Sequence, residues 1–380
     1  MPKSKPLVDG RHELAKKLFV VDSARLVLAD DHEDLTFDGI FLANYAMLKL
    51  GQSQERVHLH ITNTSFVSPK ATLDFSETEW VGIYPGENAT DTIFGNIFFK
   101  EFIGIQGKNV DLIGKIDLGP NVKDSYRPLS KVVVTAGNVT LYGTAEIRAG
   151  YTLLQANATL TLLEGSRVAS LVENTCNVDV GASEVFSCFA SNSLQTELTA
   201  DSIREAYKTQ FSTTDNQTDF STVLTGLRRN YTAYLVSYGR IKMFETYVNG
   251  PRIGICTVNL TLFNTAIDTS GQGCPSDSGL ARGRQAGRCA GSGGSNFARG
   301  GFGSLLVEPG ENAVDLVDCS QHVPEPNANL TRKSNEGSGG ASGPKSQGTG
   351  GAGGGIIRVH VLDTMVADGS QILANGLSGQ

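Results

Sequence analysis

Two histidines are the first residues whose spacing could support chemistry. His58 and His60 alternate with apolar residues within 57–61, so a strand would place both imidazoles on one face. Imidazole nitrogens ligate metal ions, but the sequence offers no third ligand nearby. We therefore expect two exposed histidines rather than a metal site.

A cluster of acidic residues lies upstream of the histidines. The acidic residues within 30–34 (all but His32), together with Asp38, carry carboxylates, which are the oxygen ligands that Ca²⁺ prefers. Their spacing does not match that of an EF-hand loop, which favours a solvated acidic turn. The sequence therefore predicts neither a metal site nor a cofactor.

Paired carboxylates flanking a glycosidic bond could cleave a polysaccharide. Asp111 with Asp117, and Asp315 with Asp318, lie on strand-like segments, but nothing marks one pair over the other. The chain lacks the His-Glu-x-x-His, Gly-x-Ser-x-Gly and Gly-Lys-Ser/Thr motifs. Residues 348–353 match Gly-x-Gly-x-x-Gly but precede a strand-like segment, so no helix N-terminus is there to bind a pyrophosphate. We predict no catalytic residue.

Six cysteines, none of them in the first 175 residues, indicate disulfide chemistry. Their even number and the absence of a Cys-x-x-Cys pair favour three disulfides in an oxidising compartment over a zinc ribbon. Short spacings make Cys176–Cys188 and Cys274–Cys289 the preferred pairs, and buried free thiols are the alternative. The predicted disulfide residues are Cys176, Cys188, Cys256, Cys274, Cys289 and Cys319.

Eight Asn-x-Ser/Thr sequons point to the same compartment. Chance would give roughly four in a chain of this composition, so the excess favours N-linked glycans, and accidental matches in a Thr-rich β protein are the alternative. The predicted glycosylation sites are Asn63, Asn88, Asn138, Asn157, Asn216, Asn230, Asn259 and Asn329.

The net charge of −7 and scattered basic residues argue against a nucleic-acid surface. No apolar run approaches the length of a membrane span. Residues 16–21 resemble a secretory signal but are too short, so we expect that a targeting segment was removed or that numbering begins inside a longer precursor. With the sequons and cysteines, these features predict an extracellular or cell-surface protein.

The elements that carry these residues are short strands. Period-2 alternation begins near residue 57, and four similar segments open at Asn109, Asn138, Asn157 and Asn259, each with Leu three residues on. Repeats about 20 to 30 residues long, built from strands and turns, are typical of a coiled stack. Asn-Gly hairpin signals are rare in the chain, which argues against a sandwich. We predict an all-β fold, a parallel β-helix (β-solenoid) with a small α-helical insertion.

The predicted organisation has four parts. Residues 1–60 form an N-terminal segment or first coils, 61–194 form β-helix coils, 195–247 form the α-helical insertion, and 248–380 form Gly-rich coils that continue in a longer parent chain. The helical prediction rests on apolar residues at steps of three and four. Gly-rich stretches at 270–303 and 337–355 are expected to be ordered turns rather than flexible linkers. The apolar run 93–99 either has both faces buried or offers a contact surface.

The C-terminal third carries a family resemblance. Residues 350–357 place a Gly-rich turn before a strand, and 365–376 place a second strand before Ala-Asn-Gly. This unit, preceded by a Gly-Ser-rich loop at 291–303, resembles Gly-rich extracellular surface glycoproteins of the pectin-lyase-like, right-handed parallel β-helix class. The resemblance covers about residues 265–380. It implies a surface or matrix glycoprotein, and more narrowly an algal or protist flagellar-hair (mastigoneme-like) or other surface filament protein.

These observations predict a structural extracellular glycoprotein, a subunit of a surface filament or matrix and not an enzyme. Its expected partners are other copies of itself or related surface glycoproteins, with covalent N-glycans, no nucleic acid and no membrane span. The alternatives are a carbohydrate-active β-helix enzyme, a polysaccharide lyase or hydrolase, and an adhesin ectodomain that binds glycans or protein. A groove of clustered acids and aromatics would favour the enzyme, whereas contacts between copies would favour the filament.

Overall fold

The computed structural model describes residues 5–6, 12–28, 34–50, 55–86, 89, 92–173, 176, 231–278 and 349–377. Within these ranges the chain is built almost entirely of short strands, with one 3₁₀ helix at Asp124–Leu129. In chain order the strands are β1 (Lys5–Pro6), β2 (His12–Val20), β3 (Arg25–Leu28), β4 (Asp34–Leu42), β5 (Met47–Leu50), β6 (Arg56–Val67), β7 (Thr72–Asp74), β8 (Trp80–Pro85), β9 (Thr92–Phe94), β10 (Asn96–Phe99), β11 (Phe102–Leu112), β12 (Lys115–Leu118), β13 (Lys131–Leu141), β14 (Glu146–Ala149), β15 (Tyr151–Leu162), β16 (Arg167–Ser170), β17 (Ala233–Phe244), β18 (Tyr247–Asn249), β19 (Arg252–Phe263), β20 (Ala266–Asp268), β21 (Ile356–Asp368) and β22 (Gln371–Leu373).

The described strands form two sheets, and the chain alternates between them. The first sheet runs β1-β2-β4-β6-β8-β11-β13-β15-β17-β19-β21, with β9 beside β6 and β11, and the second runs β3-β5-β7-β10-β12-β14-β16-β18-β20-β22. Apart from the antiparallel pair β1 with β2, the described pairings are parallel. The predicted all-β class and its parallel strand pairing are therefore confirmed.

We call one passage through the first sheet and the following passage through the second a rung. Ten rungs stack within the described residues, from β2 with β3 to β21 with β22. Adjacent strands of a sheet lie about 4.8 Å apart, so each rung rests directly on the next. Residues paired in register from rung to rung form a column.

The core consists of the columns that face between the two sheets. Val139, Leu160, Ile241 and Leu260 share one column, and each is at most 1% exposed. Burying a Leu or Ile side chain stabilises a fold by about 1.5–3 kcal/mol, so each such column is a substantial part of the folding free energy. Period-2 alternation in the sequence places these residues inward.

The apolar run 93–99 is divided between the two sheets. Gly95 separates β9 from β10, and a Cβ there would lie 1.9 Å from the Ser68 carbonyl oxygen, so only glycine fits this corner. Phe94, Ile97 and Phe99 are buried, while the side chains between them are half-buried. Of the two alternatives for this run, burial of both faces is therefore wrong, because the chain bends and each half keeps one inward face.

The repeat register is confirmed for part of the sequence repeat. Asn109 pairs with Asn138, and the Asn138 amide donates to the Asn109 side-chain oxygen at 2.9 Å. The third segment is displaced by two residues, since Thr159 rather than Asn157 lies opposite Asn138, and a bulge after Ala136 accounts for one residue of this displacement. The fourth segment keeps the register, with Asn259 in the same column.

The predicted helical insertion at 195–247 is wrong in its last part. Residues 233–244 form strand β17, which pairs with β15 and β19, and residues 247–249 form β18. Steps of three and four there matched a helix by coincidence, while burial between two neighbouring strands determined the structure. Residues 195–230 lie outside the described residues.

The disulfide pairing is a second correction. Cys176 is bonded to Cys274, with Cα atoms 4.5 Å apart across 98 residues of sequence, so neither preferred local pair forms. Cys176 follows β16 and Cys274 follows β20, and stacked rungs bring turns together that are distant in sequence. Cys256 is also disulfide-bonded. Cys188, Cys289 and Cys319 lie outside the described residues.

The Gly-rich prediction is confirmed where the structure describes it. Gly353 and the 273–274 turn exchange two backbone hydrogen bonds of 2.8 Å, from the Gly353 amide to the Cys274 carbonyl and from the Gly273 amide to the Gly353 carbonyl. A Cβ at Gly355 would lie 2.2 Å from the Pro251 carbonyl oxygen. Glycine is thus required here for close backbone approach. Residues 279–348 lie outside the described residues.

Candidate functional site

A cleft of ≈330 Å³ opens where several strands of the first sheet begin. The register places Arg56, Trp80, Phe102 and Lys131 in one outward column on consecutive rungs. Trp80 and Phe102 stack with ring centroids 5.1 Å apart and planes 6° from parallel. The cleft lining is Glu55, Arg56, Glu79, Trp80, Glu101, Phe102, Leu129 and Lys131.

The aromatic rings of the cleft have little free face. Phe102 covers one face of Trp80, and the Arg56 guanidinium lies over the ring from the preceding rung at 6.0 Å from its centroid. Carbohydrates bind aromatic side chains through open ring faces, whereas this stack presents ring edges. The cleft can therefore recognise a ligand mainly through its charged rim.

That rim carries three glutamate side chains, and each glutamate directly precedes a residue of the outward column in the sequence. The three residues are Glu55, Glu79 and Glu101, on successive rungs. The backbone carbonyl oxygen of each accepts a hydrogen bond from a backbone amide of the next rung. Lys100 pairs with Glu79 at 3.1 Å, so part of the negative charge is compensated inside the protein. The rim can offer carboxylates and cations side by side.

The predicted histidine pair lies beside this cleft in an aromatic cluster. His58 Nδ1 is 3.2 Å from the Tyr84 hydroxyl, and the His58 and Trp80 rings lie 4.9 Å apart. His60 Nε2 is 3.4 Å from Asp34 Oδ1, and the His60 ring stacks on Tyr84. Both histidines are half-buried, so the expectation that they are exposed is wrong. Among the described residues, no group of three His, Cys, Asp or Glu side chains could hold a metal ion.

The structure separates the predicted acidic residues. Asp34 begins β4, Asp38 accepts from the Thr62 hydroxyl at 3.2 Å, and residues 30–33 lie outside the described residues. Asp111 belongs to the first sheet and Asp117 to the second, so they do not form a pair across one groove. Asp315 and Asp318 lie outside the described residues.

Asp117 has a structural partner. Arg148, on the next rung, binds it with an Nη1–Oδ2 distance of 3.0 Å. Burial raises the pKa of the Asp117 carboxyl, and the nearby Arg148 guanidinium partly opposes that rise. The ion pair gives each of these two outward charged side chains a partner on the neighbouring rung.

The described sequons differ in accessibility. Asn63 and Asn138 are exposed, whereas Asn157 and Asn259 are half-buried and the Asn157 side-chain oxygen is buried without a hydrogen-bond partner. A glycan on Asn138 would leave one amide hydrogen for its bond to Asn109. Asn88, Asn216, Asn230 and Asn329 lie outside the described residues.

The two ends of the rung stack expose apolar residues that interior rungs bury. Met365 and Ile372 are 45% and 44% exposed, although they pair with Leu260 and Ile267, which are at most 1% exposed. In the described residues, seven of the twelve exposed large apolar side chains belong to the first or last rung or the adjoining turn, namely Phe19, Val21, Val27, Met365, Val366, Ile372 and Leu377.

Backbone groups at both ends also lack strand neighbours. In the described part of the chain, β21 and β22 have no strand beyond them, and neither does β3. The two-residue strand β1 covers β2 only at His12 and Glu13. Unpaired edge amides and carbonyls favour the addition of another strand.

Sequence reasoning missed both the cleft and the residues of the end faces. The cleft assembles Glu55, Glu79 and Glu101 from three rungs of unequal length, so no fixed spacing marks them. The end residues have the same apolar types as interior ones, and only their position in the stack exposes them.

Comparison with protein-family models, curated proteins and solved structures found no match for this chain. Among the described residues, no helix has the length and apolar character needed to cross a membrane.

Proposed function

We propose that the two-sheet stack is a parallel β-helix and that this chain is a structural glycoprotein of an extracellular filament or matrix. The observation that carries the proposal is the stack of ten rungs, in which parallel strands pair in register and bury continuous apolar columns between the two sheets. A stack of this kind is extended by adding further parallel strands in register at its edges, which suits a structural element of an elongated assembly.

The covalent chemistry supports an extracellular location for this assembly. A disulfide links Cys176 to Cys274, and exposed sequon asparagines at Asn63 and Asn138 could carry glycans on the outer surface. Disulfides persist in oxidising compartments, and glycans on the sides of a stack would leave its ends free for contact.

Electron microscopy and sedimentation of the full, unreduced chain at neutral pH test this function. We expect linear particles of several subunits that lengthen with protein concentration. Dispersed single rods at every concentration would contradict the structural role. Treatment with a peptide-N-glycosidase should lower the apparent mass in steps, and an unchanged mass would remove the argument from the sequons.

The cleft at Trp80 supports a second candidate function, a carbohydrate-active site. Three glutamates from consecutive rungs and two cations line one opening, which resembles the clustered acids that polysaccharide cleavage requires. Incubation with polygalacturonate and with a neutral β-glucan should then release new chain ends, and Glu101→Gln should abolish that release. No product from the native chain would count against this candidate.

A further inference from the structure

We propose that an N-linked glycan on Asn63 lies across an outward apolar column of the first sheet and covers it. This inference rests on the proposed glycoprotein function and names the surface that one of its glycans contacts. The column, which we call the phenylalanine ladder, pairs in register on the first four rungs and consists of Phe19, Phe41, Phe66 and Ile93.

The phenylalanine ladder is exposed on the side of the stack. Phe66 lies on the third rung, with a rung on each side, and is still 38% exposed. A further rung at either end of the stack would leave Phe66 exposed, since each rung contacts only its neighbours. From the fifth to the ninth rung the same column is polar, with Asp111, Thr140, Thr161, Lys242 and Thr261. An apolar stretch in an otherwise polar outward column marks a contact surface.

Asn63 is placed to cover this surface with a glycan. It is an exposed sequon residue on β6, the strand of Phe66, at the bulge between Ile61 and Thr64. The Thr64 hydroxyl donates to Asn63 Oδ1 at 3.3 Å, so the side-chain amide is oriented through its oxygen. Nδ2, the atom that carries an N-linked glycan, takes no part in that bond. Phe66 lies about 10 Å further along the strand, which the first sugars of a glycan span.

The ladder extends toward this bulge. A Cβ at Gly39, which pairs with Thr64, would lie 3.0 Å from Phe41 Cε2, so the Phe41 ring leans back over the glycine. Phe41 stacks on Phe19 with ring centroids 4.8 Å apart, whereas Phe66 stacks on no described ring. The Phe66 ring is therefore the member that a sugar can cover, and the apolar C–H face and N-acetyl methyl group of that sugar would be buried against it.

Asn138 provides the comparison within the same fold. It is also an exposed sequon residue beside a bulge of the first sheet, three rungs further along the stack. The ladder column beside it holds Asp111 on the preceding rung and Thr140 on its own rung, and both are polar. A glycan on Asn138 therefore extends into solvent, whereas one on Asn63 has an apolar surface beside it.

The rate at which each glycan is removed from the folded full chain, secreted by a glycosylating host, tests the contact. Peptide-N-glycosidase is added under native conditions, and glycopeptide mass spectrometry follows Asn63 and Asn138 separately. A glycan held on the ladder should leave Asn63 about 2- to 10-fold more slowly than Asn138, the factor that one aromatic contact supports. Phe66→Thr should raise the Asn63 rate to the Asn138 rate. Tyr142→Thr, which removes an exposed aromatic ring elsewhere, is the matched control and should leave the Asn63 rate unchanged.

Removing the glycan by substitution gives a second readout, the binding of an apolar fluorescent dye. Asn63→Gln should bind more dye than the native chain, because the phenylalanine ladder loses its cover. Asn138→Gln should bind as much dye as the native chain, because no apolar surface lies beside that residue. Adding Phe66→Thr to Asn63→Gln should cancel the gain, and thermal unfolding of each variant should match that of the native chain.

The outcomes separate this contact from the proposed function. A removal rate at Asn63 that Phe66→Thr leaves unchanged, or an Asn63 without a glycan on a chain glycosylated elsewhere, would overturn the contact and leave the glycoprotein function intact. Loss of assembly in a glycosylated Phe66→Thr chain would show that another copy covers the ladder, which also overturns the contact. A chain without a glycan at any sequon would overturn the proposed glycoprotein itself.

Discussion

Interior and end rungs of this molecule use the same residue types with opposite results. Leu260 and Ile267 are buried on the ninth rung, and Met365 and Ile372, which pair with them on the tenth, are almost half exposed. Both pairs are aligned in register across the two rungs, so each end residue occupies the same position as its buried partner. Burial in a stacked fold therefore depends on having a neighbour on each side, and not on the rung's own sequence.

This difference extends to outward columns. Asp117 and Arg148 lie on interior rungs in one outward column of the second sheet, and they form an ion pair with each other. The two end residues of that column are the apolar Val27 and Leu373. An interior rung thus has a neighbour on each side, whereas the first and last rungs of the described residues have a described rung on one side only. Three pairs of substitutions test this comparison, from the largest expected effect to the smallest.

Leu160→Ala against Met365→Ala is the most direct way to break the comparison. Leu160 is completely buried in the column that ends at Met365, so truncation should lower the free energy of unfolding by about 2–5 kcal/mol. Met365→Ala should cost less than about 1 kcal/mol in the isolated subunit. Guanidinium unfolding followed by circular dichroism measures both, and equal costs would show that the end rung is already covered.

Glycine corners sharpen the comparison. A Cβ at Gly95, between the sheets of an interior rung, would lie 1.9 Å from the Ser68 carbonyl oxygen, while one at Gly376, beyond the last strand, would lie 3.2 Å from the Ala352 carbonyl oxygen. Gly95→Ala should destabilise by about 1–3 kcal/mol because backbone must move. Gly376→Ala should change stability by about 0.5 kcal/mol or less. A tolerated Gly95→Ala would mean that interior corners are looser than their geometry indicates.

The sequence allowed prediction of several strands, but not of the contacts between residues on different rungs. Alternation identified β6 and β8, and the Asn109 and Asn138 segments share a register, because these signals depend on neighbouring residues alone. The helical prediction failed at β17, where burial on two sides outweighed local periodicity. The cleft and the Cys176–Cys274 bond unite residues from different rungs, so their proximity depends on rung lengths that the sequence does not mark.

Asp117 provides the smallest and most specific test, because it concerns a charge held between interior rungs. Burial raises the pKa of the Asp117 carboxyl in the folded state above its ordinary value, and Arg148 opposes that rise without cancelling it. Between the unfolded and the raised folded pKa the folded chain binds more protons, so this carboxyl lowers stability as pH rises through that window. Asp117→Asn should remove this loss and leave the variant relatively more stable above the window than below it.

Unfolding free energies of Asp117→Asn and of the native chain, measured from pH 3 to pH 7, give the comparison as a difference at each pH. Asp124→Asn is the matched control, since Asp124 is an exposed carboxylate on the 3₁₀ helix and pairs with Arg127 in solvent. A difference that stays constant across the range would show that Asp117 is solvated as fully as a surface acid. A difference that rises with pH would show that interior rungs constrain even their outward charges.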